Sequence, residues 1–84
     1  MVNIYLFIEL LGSANAMATL DTLKALELEN CQFANVLRLS DEKLVAQLDC
    51  DDAPDGDKAI LNHIAGVDGV VQTNIVAVVR PRNG

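Results

Sequence analysis

The chain has 84 residues, of which 51% are hydrophobic and 21% are charged, and its formal net charge is −6. This composition is typical of a globular protein with one core, so we expect residues 1–84 to form a single domain. The acidic excess argues against binding to nucleic acids or anionic membranes, because both are polyanions, and it favours a basic partner. The sequence contains neither an apolar run of the roughly 18–20 residues that a membrane span needs nor a recognisable signal peptide. We therefore expect a cytoplasmic protein.

The first two predicted elements are a strand and an amphipathic helix. In segment 2–10 the even positions are aliphatic and the odd positions are polar or aromatic, which predicts a strand with one buried face. Gly12 ends this strand, and Ser13 or Asn15 can cap the helix that follows. The helix is predicted to extend to about Leu28, with an apolar face formed by Ala16, Met17, Leu20, Leu23 and Leu26.

A β-hairpin is predicted for the middle of the chain, from about Cys31 to Cys50. A regular register that places these two cysteines opposite each other separates a core face from an outer face. On the core face, the same register pairs Phe33 with Leu48 and Leu37 with Leu44; on the outer face, it pairs Val36 with Val45, Gln32 with Asp49 and Arg38 with Lys43. A register shifted by two in the sum of paired positions keeps every residue on the same face and is the alternative. Asn35 is the one misfit, because this register turns its polar side chain towards the core.

The reactive side chains of the sequence do not form a recognisable catalytic or metal-binding motif. Cys31 and Cys50 lack the C-x-x-C spacing of zinc and redox sites, and His63 is the single histidine. In a reducing cytoplasm we expect two buried thiols that act as small apolar residues, with a disulfide as the alternative. We therefore predict no cofactor, no metal and no enzymatic activity.

A second helix and a last strand complete the predicted elements. The acidic segment 51–57 is typical of a turn followed by a helix start, because acidic side chains favour the positive end of the helix dipole. Gly66 is expected to end this helix. The last strand is predicted from about Val70 to Arg80, with Pro81 after it. Its odd positions are assigned to the core face and its even positions to the outer face, and the core-face residues are Thr73, Ile75, Ala77 and Val79.

The order strand, helix, strand, strand, helix, strand is that of ferredoxin-like domains. With right-handed crossovers it predicts an α+β sandwich in which a four-stranded antiparallel sheet has the order 4-1-3-2. Both helices are then expected on one face of the sheet, and the other face is left open.

The open face of this sheet is the predicted binding surface. A face in contact with water alone alternates to polar residues, whereas this one is about half apolar. An exposed apolar patch of this kind marks a partner or oligomer interface, and β-propensity alone is the alternative explanation. The predicted partner-binding residues on this face and its edge strand are Tyr5, Phe7, Gln32, Ala34, Val36, Arg38, Val45, Val76 and Val78.

Charged residues are also expected to separate along the open face. We expect Arg38, Lys43 and Arg80 to gather at one of its ends, and Glu9, Asp49 and the pair Asp51 and Asp52 to gather at the other. This arrangement would offer a cationic and an anionic end to a partner.

The C-terminal half of the chain resembles the NapD-type chaperones of periplasmic nitrate reductase. Segments 41–49 (DEKLVAQLD) and 60–71 (ILNHIAGVDGVV) are similar to the K-L-V-V-x-L-E strand and the I-x-x-I-x-x-V-x-G-V-L pattern of that family, and segment 74–76 takes the place of its final S-L-V strand. The resemblance implies a cytoplasmic assembly chaperone that binds the twin-arginine signal peptide of an exported oxidoreductase. The peptide would dock on the open face or add a strand at edge segment 32–38.

A second resemblance is to the small-molecule-binding domain of Lrp/AsnC regulators. Segment 69–78 (GVVQTNIVAV) is similar to the G-V-x-x-T-x-T-x-I-V pattern of that family, whereas segment 39–43 lacks the glycine of its T-G-x-x-D hairpin. This alternative implies a stand-alone regulatory domain that oligomerises sheet to sheet and binds an amino acid between protomers. Direct DNA readout is not predicted, because the sequence contains no helix-turn-helix pattern.

Overall fold

A computed structural model describes residues 1–12 and 14–80, so the predictions for Ser13 and Pro81 lie outside the described residues. Its four antiparallel strands are β1 (Val2–Leu10), β2 (Cys31–Ser40), β3 (Lys43–Cys50) and β4 (Val70–Val79). Its helices are α1 (Ala16–Lys24) and α2 (Ala53–Ala59), and α2 continues into a π-helical turn (Ile60–Ile64). The sheet order is β2-β3-β1-β4, which becomes β4-β1-β3-β2 when it is read from the other edge. The predicted ferredoxin-like α+β fold is confirmed.

The core lies between one face of the sheet and the helices. Along the two central strands, β1 and β3, every even-numbered residue is buried and every odd-numbered residue is half-buried. Leu20 and Leu23 of α1 pack into this core, together with Ile60 and Ile64 of the π-helical turn. No helix in the described part of the chain is long and apolar enough to cross a membrane.

Helix α1 is shorter than its sequence pattern predicts. Asn15 caps it, because the Asn15 Oδ1 atom accepts a hydrogen bond of 3.0 Å from the backbone N–H of Ala18. The helix ends at Lys24, and Leu28 instead forms an isolated antiparallel bridge with the start of β2. Met17, predicted on the apolar face, is 50% exposed. The buried stripe of the helix is Ala16, Thr19, Leu20 and Leu23, and Met17 lies about 100° around the helix axis from Ala16.

Helix α2 packs closely on the sheet through a glycine. The helix begins inside the acidic segment, where the Asp52 Oδ1 atom accepts a hydrogen bond of 2.9 Å from the N–H of Ala53. A Cβ atom on Gly56 would overlap the Cδ1 atom of Ile4 and would lie 3.5 Å from the Sγ atom of Cys50. Only a residue without a side chain therefore fits between α2 and the two central strands.

A β-bulge at Ala34 changes the orientation of side chains along β2. The start of the strand pairs with β3 as predicted, but beyond Ala34 the register shifts by one residue. Val36 then faces the core and is 3% exposed, while Leu37 faces outwards and is 56% exposed. The predicted orientations of these two residues are wrong. The bulge moves Asn35 to the open face, so the polar misfit of the regular register is not buried.

A similar shift at Val76 divides β4. From Gln72 to Ile75 the odd-numbered residues face the core side, as predicted. Beyond Val76 the pattern reverses, so that Val78 lies opposite core-facing Ile4 and Ala77 lies opposite outward-facing Tyr5. The assignment of Val78 to the open face is therefore wrong, as is the assignment of Ala77 and Val79 to the core face.

Cys31 and Cys50 form a disulfide between β2 and β3. The prediction that they lie opposite each other is confirmed, but the expectation of two thiols is corrected. Their Cα atoms are 4.0 Å apart, and directly opposite residues point to the same face of a sheet, so the two sulfur atoms meet. Cys50 is fully buried at this bridge, while Cys31 is partly exposed.

Candidate functional site

The open face of the sheet consists of four rows of side chains, each with one residue from every strand. In the order β2-β3-β1-β4, the rows are Gln32–Asp49–Asn3–Val79, Asn35–Gln47–Tyr5–Ala77, Leu37–Val45–Phe7–Asn74 and Ser40–Lys43–Glu9–Gln72. The two middle rows carry most of the apolar side chains, and the outer rows are mainly polar. The open face therefore has an apolar centre and two polar ends. The helices pack on the opposite face of the sheet.

The apolar patch at the centre consists of Tyr5, Phe7, Leu37, Val45 and Ala77. Neighbouring side chains half-bury the residues that β1 and β3 contribute, whereas Leu37 on the edge strand is 56% exposed. A depression of about 200 Å³ opens between these strands and is lined by Tyr5, Asn35, Leu37, Val45, Ala46 and Gln47. The patch therefore contains a depression into which an apolar side chain of a partner can insert.

One polar end of the face, which we call the acceptor end, is rich in hydrogen-bond acceptors. The Oδ1 atom of Asn3 is buried and has no hydrogen-bond partner among residues 1–12 and 14–80. Asp49 lies opposite Asn3, and its Oδ1 atom accepts a hydrogen bond of 3.1 Å from the Nε2 atom of Gln47. Because the Asn3 oxygen is not accessible to solvent, a ligand reaches the half-buried carboxylate of Asp49 more directly.

The other polar end has locally balanced charges. Lys43 lies opposite Glu9, and its Nζ atom is 5.4 Å from the centroid of the Phe7 ring, within the range of a cation–π interaction. Nearby, Arg38 forms a salt bridge of 3.1 Å with Asp41. These contacts occupy the cationic groups of this end with intramolecular partners.

The predicted separation of charges along the face is wrong for two residues. Glu9 pairs with Lys43 rather than lying at the end that holds Asp49. Arg80 follows Val79, which pairs with Asn3, so the backbone places Arg80 at the acceptor end. The physical reason is that β1 is antiparallel to both of its neighbours. The end of β1 therefore lies beside the start of β3, and the end of β4 lies beside the start of β1.

The predicted partner-binding residues occupy three kinds of position. On the open face are Tyr5, Phe7, Gln32 and Val45. At exposed bulges on the two edge strands are Ala34 and Val76. On the core side are Val36, which is buried, and the exposed residues Arg38 and Val78. The sequence interpretation missed Leu37, Ala77 and Asn3, and the misfit of Asn35 was the one signal that pointed to the shift in β2.

A second, smaller site lies on the helix side of the molecule. It is a cleft of about 100 Å³ lined by Glu29, Asn30, Asp55, Lys58, Ala59, Asn62 and His63. The Nδ2 atom of Asn30 donates a hydrogen bond of 3.4 Å to Asp55, and His63 is exposed. Within residues 1–12 and 14–80, no group of three or more histidine, cysteine and acidic residues is arranged to hold a metal ion.

No family model matches the chain, and no curated protein or solved structure is significantly similar to it. The likenesses to NapD-type chaperones and to Lrp/AsnC domains therefore stay predictions from sequence. The geometry and chemistry of the open face are the basis for a functional proposal.

Proposed function

We propose that this chain is a small non-catalytic binding protein that holds a basic, partly apolar peptide on the open face of its sheet. The observation that carries the proposal is the combination of the apolar patch and the acceptor end on one face. An apolar surface without a covering helix favours contact with a partner. A peptide with cationic side chains beside apolar ones matches both parts of the face.

Arginine is the cationic side chain that best complements the acceptor end. Its guanidinium group has five N–H donors and no acceptor, so it can form a bidentate pair with the carboxylate of Asp49. Asp51 and Asp52 follow β3 at the same end and add negative charge. The net charge of −6 would also steer a cationic peptide towards the protein from a distance.

The resemblance to NapD-type chaperones suggests a twin-arginine signal peptide as this ligand. A signal peptide has a positively charged region followed by an apolar region of about 7–15 residues, and this order fits an acceptor end that adjoins an apolar patch. In this role the protein is a cytoplasmic assembly chaperone that retains an exported oxidoreductase, such as periplasmic nitrate reductase, until its maturation is complete.

A peptide titration followed by calorimetry and by backbone amide chemical shifts tests the proposal. The probe is a synthetic peptide with two consecutive arginines before an apolar segment, and the control peptide has both arginines replaced by glutamine. We expect shifts around Asn3, Tyr5 and Leu37, and binding that weakens with salt because the cationic contacts are screened. Equal binding of both peptides, or shifts confined to the helix side, would contradict the proposal.

Two protein variants separate the contributions of the acceptor end and the apolar patch. Asp49→Asn is expected to weaken binding of the arginine peptide about tenfold, since it removes a charge-assisted hydrogen bond, and to leave the glutamine peptide unaffected. Leu37→Ala should weaken both peptides. Met17→Ala, at an exposed position of α1, is the matched control and should change neither affinity.

The same experiments distinguish the Lrp/AsnC-type alternative. That alternative predicts a dimer in which two open faces pack together and enclose an amino acid. A complex whose formation protects Tyr5 and Phe7 without added peptide, and which binds a free amino acid, would favour it over the chaperone proposal.

A further inference from the structure

The edge strand β4 has no charged residue and no proline over its ten residues, whose sequence is VVQTNIVAVV. Natural proteins usually protect an exposed edge with charges, proline, β-bulges or a very short strand, because its unpaired backbone groups can pair with another strand. Both edge strands of this sheet contain bulges, but β2 also carries Arg38. The two edges of the sheet therefore differ in charge.

The helix layer also leaves β4 largely uncovered. Ile75 and Val78 lie on the core side of the strand, yet they are 47% and 44% exposed. Leu61, at the start of the π-helical turn, is 75% exposed. A depression between the turn and β4 is lined by Asp57, Ile60, Leu61, Thr73, Asn74 and Ile75. An uncharged strand edge is thus continuous with exposed apolar side chains on the helix side.

We propose that β4 is the interface of a homodimer, in which two copies of this strand pair antiparallel about a two-fold axis. The pairing joins two four-stranded sheets into one sheet of eight strands. The axis is perpendicular to the sheet, so both open faces stay accessible and the dimer is independent of peptide binding.

The side-chain pattern of β4 suits a second copy of itself. Bulges at Val71 and Val76 place four residues on the core side, and these are Val70, Thr73, Ile75 and Val78. The four positions are symmetric about Asn74. Antiparallel pairing centred on Asn74 therefore sets Val70 opposite Val78 of the second copy and Thr73 opposite Ile75, so the core-side residues of the two strands meet. The bulge residues Val71 and Val76 then lie opposite Ala77 and Gln72.

The charges that flank β4 favour antiparallel pairing. Asp68 precedes the strand and Arg80 follows it. Asp68 lies in a turn in which the N–H of Val70 donates a hydrogen bond of 3.0 Å to the carbonyl oxygen of Val67, so the strand register does not fix its position. Antiparallel pairing nevertheless brings the start of one strand beside the end of the other, and Asp68 of each copy then attracts Arg80 of the other copy.

Sedimentation equilibrium and light scattering of the intact chain test the dimer, since the monomer mass is 9.0 kDa. Asn74→Lys places two lysines opposite each other at the axis, and we expect it to weaken dimerisation at least about tenfold. Ala34→Lys, at the exposed bulge of β2, is the matched control and should leave the dimer intact. Circular dichroism checks that both variants are folded.

A charge exchange tests the antiparallel orientation. Arg80→Asp should weaken the dimer about threefold to tenfold, because it replaces attraction to Asp68 of the other copy with repulsion at both ends of the interface. The double variant Asp68→Arg/Arg80→Asp should restore the original affinity. The proposal is overturned by a monomer at all concentrations up to about 1 mM, by a dimer that Ala34→Lys disrupts and Asn74→Lys does not, or by a double variant that fails to recover.

Discussion

The bulge at Ala34 determines which of two neighbouring apolar residues stabilises the fold. Val36 is 3% exposed and lies opposite Ala46 on the core face, whereas Leu37 is 56% exposed and lies opposite Val45 on the open face. Truncating each residue to alanine in turn therefore tests the shifted register. We expect Val36→Ala to lower the free energy of unfolding clearly and Leu37→Ala to change it little.

The size of the effect follows from the buried carbon atoms. Val36→Ala removes two methyl groups, and at about 0.8 kcal/mol for each buried carbon the transfer contribution is about 1.6 kcal/mol. Incomplete closure of the resulting cavity raises the total to about 2 kcal/mol. In a domain of this length 1 kcal/mol corresponds to about 4–8 °C in Tm, so the melting temperature should fall by about 8–16 °C. Leu37→Ala should cost less than about 1 kcal/mol, because its side chain is mostly in water.

Urea unfolding followed by circular dichroism measures both variants against the unchanged chain. Equal m-values would show that the variants expose the same surface area on unfolding and differ only in stability. Leu37→Ala should instead reduce peptide affinity, which separates its role from that of Val36. If Leu37→Ala proved more destabilising than Val36→Ala, the strand would have the regular register and the bulge would be refuted.

Two further predictions concern close packing and the disulfide. Gly56→Ala should destabilise the fold by about 1–3 kcal/mol, because its new Cβ atom overlaps Ile4. Urea unfolding measures this loss, and Gly66→Ala is the control, because the nearest atom to its new Cβ atom would be a backbone oxygen at 3.8 Å. Reducing the bridge between Cys31 and Cys50 should lower stability by about 3 kcal/mol, since it opens a loop with a sequence separation of 19. The double alanine variant should be insensitive to dithiothreitol, and an unchanged urea midpoint for the reduced parent chain would mean that the bridge does not stabilise the protein.

The central strands were predictable because the pattern of each is unambiguous. In β1 an aliphatic residue alternates with a polar or aromatic one, and in β3 the polar residues Lys43, Gln47 and Asp49 indicate the outer face, which they share with Val45. Each of the two strands has a neighbour on both sides. A register shift there would bury Glu9 or Asp49, which is energetically prohibitive. The open-face positions of Tyr5, Phe7 and Val45 follow directly from that alternation.

The edge strands were harder to interpret, because each contains adjacent apolar residues that suit either face. Val36 and Leu37 in β2, like Val78 and Val79 in β4, are both hydrophobic, so the sequence alone does not distinguish their orientations. An edge strand pairs on one side only and tolerates a bulge more readily than a central strand does. Asn35 was the single indication that a regular register would bury a polar group.

The order of strands and helices, the ferredoxin-like class and the buried faces of the central strands were determined by the sequence itself, through hydrophobic periodicity and the residues that end each element. The tertiary structure alone decided the bulges in the two edge strands, the exposed positions of Leu37 and Ala77 and the burial of the Asn3 Oδ1 atom. It also decided the approach of α2 to Ile4. The physical reason is that periodicity is a local property of the chain, whereas a bulge or a close contact depends on how atoms distant in sequence fill the same space.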